Sequence, residues 1–239
     1  MNIIYDGTYE GYINALEKAL KENSDYISKE ESENLFEENF LINSSKEKAY
    51  AFEKEINTVS KEALKKIRLL WFSEKEGFEN TALGYLKNIF KYGAQGENNL
   101  SDENVYKCDK LTKKVLYEAH RFKGFVRFSQ DISGIMFAKI SPEHNILPLI
   151  KGHFLARFSK ISFTIFDEKR KLCLFNLDGL KGIKPAEDIV LKLSESEKEI
   201  SGLWINFFKT ISIKERENQK LQKNKVPFKY RKNLIEFGK

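Results

Sequence analysis

The apolar residues of this 239-residue chain change their period near residue 121, and that change limits the fold more than any other feature. Before it, they recur every three or four positions. Phe52, Ile56, Val59, Ala63, Ile67 and Leu70 predict one amphipathic helix from Lys46 to Trp71, and Leu83, Leu86, Ile89 and Phe90 predict another. After a loop from Gly93 to Asn99, Ser101 is placed to cap a segment leading to Leu111, Val115 and Ala119. From Arg121 onward the runs have strand length and are rich in Phe and Ile: Phe122 to Ser129, Ile135 to Ile140, Ile161 to Asp167 and Lys171 to Leu177. The last two read as a hairpin across Glu168-Lys169-Arg170. Between the two pairs, Ser141-Pro142-Glu143 marks a helix start that Ile146, Ile150, Phe154 and Phe158 continue, with Pro148 in the first turn of the regular part. The order strand-strand-helix-strand-strand predicts an α+β fold, an antiparallel sheet packed with several helices.

The ends add less. Asn2 to Tyr5 reads as a short strand, Asp6-Gly7-Thr8 as a turn, and Tyr12, Ile13, Leu16 and Leu20 as the stripe of a first helix. Lys21 to Lys46 is polar. A Ser194-Glu195-Ser196-Glu197 capping box opens a helix whose Ile200, Leu203, Trp204, Phe207, Phe208 and Ile211 are expected to face the core. Its continuation to Lys225 is nearly all polar, and Pro227 and Tyr230 restart a short final element. There is no internal repeat and no Pro/Gly/Ser linker. The expectation is therefore a single domain over 1–239, with a helical section at about 45–120, a strand-rich section at about 121–178 and a basic helical section at about 186–239, helical to about 225.

Two isolated cysteines, Cys108 and Cys173, exclude a disulfide framework, a CxxC zinc site and the thiolates of an iron–sulfur cluster. Neither a leader pattern at Met1 to Tyr5 nor a bilayer-length apolar run is present, so a cytoplasmic protein with no membrane partner is expected. Residues 1–100 carry 13 Lys+Arg and 18 Asp+Glu, a net −5, whereas residues 101–239 carry 28 and 17, a net +11. A polyanion would be drawn to the second half. Lysines outnumber arginines 34 to 7, which a solvated surface explains equally well.

If Arg121 to Phe128 is a strand, Arg121, Lys123, Phe125 and Arg127 share one face. Cations there would hold phosphates while Phe125 stacks on an exposed base; the alternative is a core Phe125 with Lys123 and Arg127 reaching solvent or pairing with helix carboxylates. Arg157 and Arg216 are further candidates for nucleic-acid contact. Asp6, Glu143 and His144 are the candidate catalytic groups, Glu143 and His144 as an acid/base pair. The equally ordinary readings are an Asx turn for Asp6 and a helix N-terminus for Glu143. His120, His144 and His153 lack HExxH or HxxxH spacing, and there is no phosphate-cradling glycine loop, so no metal and no cofactor are expected.

Longer words point further. Tyr5-Asp6-Gly7-Thr8-Tyr9-Glu10-Gly11, His120-Arg121-Phe122-Lys123-Gly124-Phe125-Val126-Arg127-Phe128, and Ser141-Pro142-Glu143-His144-Asn145-Ile146-Leu147-Pro148-Leu149 with His153-Phe154 and Arg157-Phe158 resemble one bacterial family. Its members are described as DNA metabolism or DNA repair proteins, encoded beside a radical-SAM protein or fused to a uracil-DNA-glycosylase-like domain. Trp204, Phe207-Phe208, Ile211 to Asn218 and Pro227 to Tyr230 are similar to that family's C-terminal end. Arg231 departs from it, since an aromatic tends to follow the tyrosine there. The resemblance implies an accessory that binds DNA and acts with a radical-SAM partner. The other expectations are an enzyme acting on a damaged nucleobase or nucleotide, with Asp6 or Arg157 holding the substrate, and a protein-interaction module that leaves DNA alone.

Overall fold

The computed structural model describes residues 1–29, 38–187, 192–211 and 218–237. The chain divides into two compact units, Met1–Leu116 and Tyr117–Lys239. The division falls inside a helix, in keeping with the lack of a linker.

The first unit opens with β1 (Asn2–Tyr5), α1 (Tyr9–Lys21), β2 (Tyr26–Ser28) and β3 (Asn39–Ile42). These strands form a parallel sheet in the order β2-β1-β3, with Ile3 opposite Ile27 on one side and Phe40 on the other. The sequence reading missed β2 and β3 because both lie in the stretch taken as polar: β3 is mostly exposed and shows no alternation. Then come α2 (Lys46–Val59), α3 (Lys61–Ser73), α4 (Phe78–Tyr92), a 3-10 turn (Gly93–Asn98) and α5 (Glu103–Phe125). Ile3, Tyr12, Leu16, Phe52, Ile56, Ile67, Leu70 and Leu86 belong to one core, so the apolar stripes face inward as expected.

The single helix expected from Lys46 to Trp71 is two. Ser60 adopts an extended backbone (φ −159°, ψ 122°), ends α2, and caps α3 by accepting the Ala63 N–H at 2.9 Å. The apolar spacing runs through the break unchanged because both helices pack on the same core. Ser60→Ala should cost about 1 kcal/mol of stability through loss of this cap, read as a shifted midpoint in urea unfolding. A second correction concerns α5, which is capped by Asp102 rather than Ser101: Asp102 Oδ1 accepts the Asn104 and Val105 N–H groups at 2.8 and 3.1 Å.

The second unit contains the end of α5, then β4 (Ser129–Gln130), β5 (Met136–Ile140), α6 (Leu147–Arg157), β6 (Phe163–Asp167), β7 (Leu172–Leu177), β8 (Leu180–Pro185), α7 (Glu195–Thr210) and α8 (Gln219–Lys225). Two 3-10 turns, Phe228–Asn233 and Ile235–Phe237, follow. The sheet order is β4-β5-β6-β7-β8. The α+β reading holds at the level of a mixed sheet with helices; the antiparallel sheet holds in part. β5 and β6 are parallel, as α6 crosses over between them and returns the chain to the same end, while the other three pairings are antiparallel. The hairpin across Glu168 to Arg170 is present, closed by Lys171 at φ 52°. β8 was not foreseen. Asp178 and Gly179 both have positive φ (46° and 83°), as a two-residue hairpin turn of the right twist requires.

Three local expectations change. Phe122 to Ser129 is not a strand: α5 runs through Phe125, and only Ser129–Gln130 pairs. Phe122, Phe125 and Val126 satisfy a helical repeat as well as Phe122, Val126 and Phe128 satisfy alternation, and burial beside Tyr230 decides for the helix. α6 begins at Leu147, not Ser141, with Pro148 in its first turn as expected. Ser194 does cap α7, accepting the Glu197 N–H, but the Glu197 carboxylate reaches the Gln130 N–H at 2.9 Å instead of closing the box. Of the six α7 residues expected in the core, Ile200, Leu203, Trp204, Phe207 and Ile211 are exposed. Among the described residues no helix is long and apolar enough to cross a membrane.

Candidate functional site

The helical course of α5 takes apart the row of Arg121, Lys123, Phe125 and Arg127. Arg121 Nη2 donates to Asn224 O at 2.8 Å and to Tyr117 Oη at 3.2 Å, and its guanidinium lies 4.3 Å from the Tyr117 ring centre. It holds the C-terminal segment in place. Arg127 pairs with Glu236 at 2.7 Å and donates to Gly124 O at 2.6 Å, closing the end of α5. Phe125 is half-buried against Phe122 and Tyr230, with ring centres 5.9 Å from each, so it is not a free stacking platform. Of the four, only Lys123 is exposed, in the last turn of α5. Arg216 lies outside the described residues.

Lys123 has different company. His153 and Arg157 stand one helical turn apart on α6, and the Lys123 and Arg157 charges both act on the His153 imidazole. Burial and then these two cations hold its pKa below the ordinary histidine range. Among the described residues, no ion pair joins Lys123, His153 or Arg157 to a carboxylate. A built Cβ at Gly124 or Gly152, the neighbours of Lys123 and His153, meets nothing, so the backbone there is open to approach. His120, one turn before Lys123, is exposed as well. The second unit as a whole carries 24 Lys+Arg and 14 Asp+Glu, a net +10. Like charges gathered this way are relieved by an anion. The signal for it was in the sequence: the inward stripe of Ile146, Ile150, Phe154 and Phe158 leaves His153 and Arg157 together on a neighbouring flank.

Glu143 and His144 sit in the loop after β5, not at a helix start. His144 is 2 % exposed, and its backbone N–H is held by Glu118 Oε2 at 2.8 Å. Glu118, itself buried, also accepts the Glu143 N–H at 2.8 Å and the Tyr230 hydroxyl at 2.6 Å. The Glu143 side chain points outward to Lys229 Nζ at 2.8 Å. Beside them Ser141 Oγ donates to Glu168 at 2.6 Å, with Asn233 and Lys232 on the same carboxylate. Burial pushes the Glu168 pKa up, but the hydrogen bonds from Ser141, Asn233 and Lys232 outweigh it and hold it below the usual range. This network ties the loop after β5 to the turn after β6 and to the C-terminal turns. Arg231, the departure from the family pattern, lies between two rings, 4.5 Å from the Phe228 centre and 4.4 Å from the Phe237 centre, and so supplies the packing of an aromatic residue.

Asp6 belongs to the first unit. It follows β1, and Ser44 follows the neighbouring parallel strand β3, where the strand order reverses. Oδ2 accepts the Ser44 hydroxyl at 2.6 Å, and Oδ1 accepts the Thr8 hydroxyl and N–H at 2.6 and 3.0 Å. These bonds, Ser44's first, lower its pKa. A Cβ at Gly11 would overlap Asp6 Oδ1. Gly11→Ala should therefore displace the carboxylate and shift its titration, seen by NMR, back toward the ordinary aspartate value. The Asx-turn reading is the one realised here.

Among the described residues, no three His, Cys, Asp or Glu side chains group as a metal site would need. Burial pushes the Cys108 thiol up to about 12 and raises that of Cys173, which leaves neither as a ready nucleophile.

No curated protein and no solved structure matches the chain. One family profile does, over residues 76–236, from the start of α4 to the final 3-10 turn and so across the whole helix-and-mixed-sheet part described above. The chain thus belongs to the DUF4130 family, a domain of unknown function.

Proposed function

We propose that the second unit binds the phosphate backbone of nucleic acid through Lys123, His153 and Arg157, with His120 beside them, and that the protein serves DNA metabolism as an accessory to a radical-SAM partner. The observation that carries the binding reading is the group itself, three basic side chains from two helices with no carboxylate partner among the described residues. The DNA-metabolism context and the radical-SAM partner rest on the resemblance of the three long sequence words. Acid/base chemistry at Glu143 and His144 has less support, because one is ion-paired with Lys229 and the other is almost wholly buried.

Fluorescence anisotropy with labelled single-stranded DNA tests the reading. Three phosphate contacts give a log–log salt slope of about −2. The pH dependence has a definite sign. In the free protein burial, Lys123 and Arg157 keep His153 neutral near pH 7; a bound phosphate favours the imidazolium, so binding takes up a proton. Affinity should rise about three- to tenfold between pH 7.5 and pH 6, and His153→Gln should flatten that rise. A salt-independent or absent anisotropy change leaves the interaction-module reading in its place.

A further inference from the structure

α7 is apolar on two sides, and the fold uses one. Glu197, Ser201, Ile205 and Phe208 face the second unit, Glu197 through Gln130 and Phe208 through Phe237, whose ring centre is 5.6 Å away. The rest of the apolar surface carries Ile200, Leu203, Trp204, Phe207 and Ile211, each between 39 and 69 % exposed, with Trp204 at its margin, its ring centre 5.9 Å from the Arg127 guanidinium. Large apolar side chains exposed together on one helix mark an interaction surface.

We propose that this outer face pairs with the same face of a second copy of the chain, the two α7 helices running antiparallel about a two-fold axis. An isologous contact needs a self-complementary patch, and this one reads the same in both directions. Ile200, Trp204, Phe207 and Ile211 are spaced four, three and four, with the two aromatics inside and an isoleucine at each end. With the axis between Trp204 and Phe207, Ile200 meets the partner's Ile211 and Trp204 meets the partner's Phe207, while Leu203 flanks the seam.

An antiparallel pair also opposes the two helix dipoles, which a parallel pair would align. The area suffices: at roughly 200 Å² per large side chain, the exposed fractions amount to about 550 Å² per copy. With all of it covered the pair buries on the order of 1,100 Å², the size of a weak, reversible interface.

Sedimentation velocity on the full chain from about 1 to 100 μM, a span chosen for an interface at the small end of the specific range, tests this. The expected result is a concentration-dependent species of twice 27.9 kDa, abolished by Leu203→Lys with Phe207→Glu. Leu203→Lys alone, at a side chain already 69 % exposed, leaves the monomer's circular dichroism and melting unchanged and still weakens the dimer at least tenfold. A wild-type chain that stays monomeric throughout, including one whose α7 is met by a different partner, overturns the proposal. So does a dimer that survives both variants.

Discussion

Replacing Glu118 with alanine is expected to lower the stability of the protein by about 3–5 kcal/mol, because one buried carboxylate that accepts from three donors is removed at once. The Glu143 and His144 N–H groups and the Tyr230 hydroxyl all end on this carboxylate, at 2.6 to 2.8 Å. Glu118 is 3 % exposed, so its removal leaves a buried site rather than a solvated one. Tyr230→Phe removes a single donor and should cost about 1 kcal/mol. Urea unfolding followed by circular dichroism separates the two. If Glu118→Ala costs no more than Tyr230→Phe, the loop after β5 is held by something other than this carboxylate.

The second large effect is on binding. Lys123→Ala with Arg157→Ala should weaken affinity for single-stranded DNA about 10- to 100-fold at low salt and flatten the salt slope by about 1.4. Both side chains are exposed and outside the core, so the fold should be unaffected. Arg121→Ala with Arg127→Ala makes the opposite comparison. Those guanidinium groups are engaged with Asn224 and Glu236, so the double variant should lose stability through the C-terminal segment while any protein still folded keeps the wild-type salt slope. A reversal of the two outcomes would return the site to the α5 end.

What the sequence disclosed follows from how each signal arises. Stripes facing a core, as in α1 and α4, are legible because burial alone sets their spacing. The break at Ser60 was hidden because two helices on one core continue one stripe. β2 and β3 carry too little buried apolar surface to show alternation. At Arg121 to Phe128 two periods fit the same eight residues, and only the position of Tyr230, about a hundred residues away, decides between them. The Asp178-Gly179 turn and the strand-helix-strand crossover are both legible in the sequence. The candidate site was half legible. Lys123 and Arg157 were picked out, but as members of a strand row and as an isolated cation. That they meet at His153 depends on α5 and α6 packing on a shared core containing Phe122 and Phe154, which no local pattern encodes.

The most direct measurement is the NMR titration of the His153 ring protons, first in the free protein and then with saturating single-stranded DNA. The expected result is a pKa below the ordinary histidine value in the free protein, through burial and the nearby Lys123 and Arg157 charges, and a rise of about one unit or more when phosphate sits among the three groups. A His153 titration that DNA leaves unmoved, at concentrations where anisotropy reports binding, would contradict it.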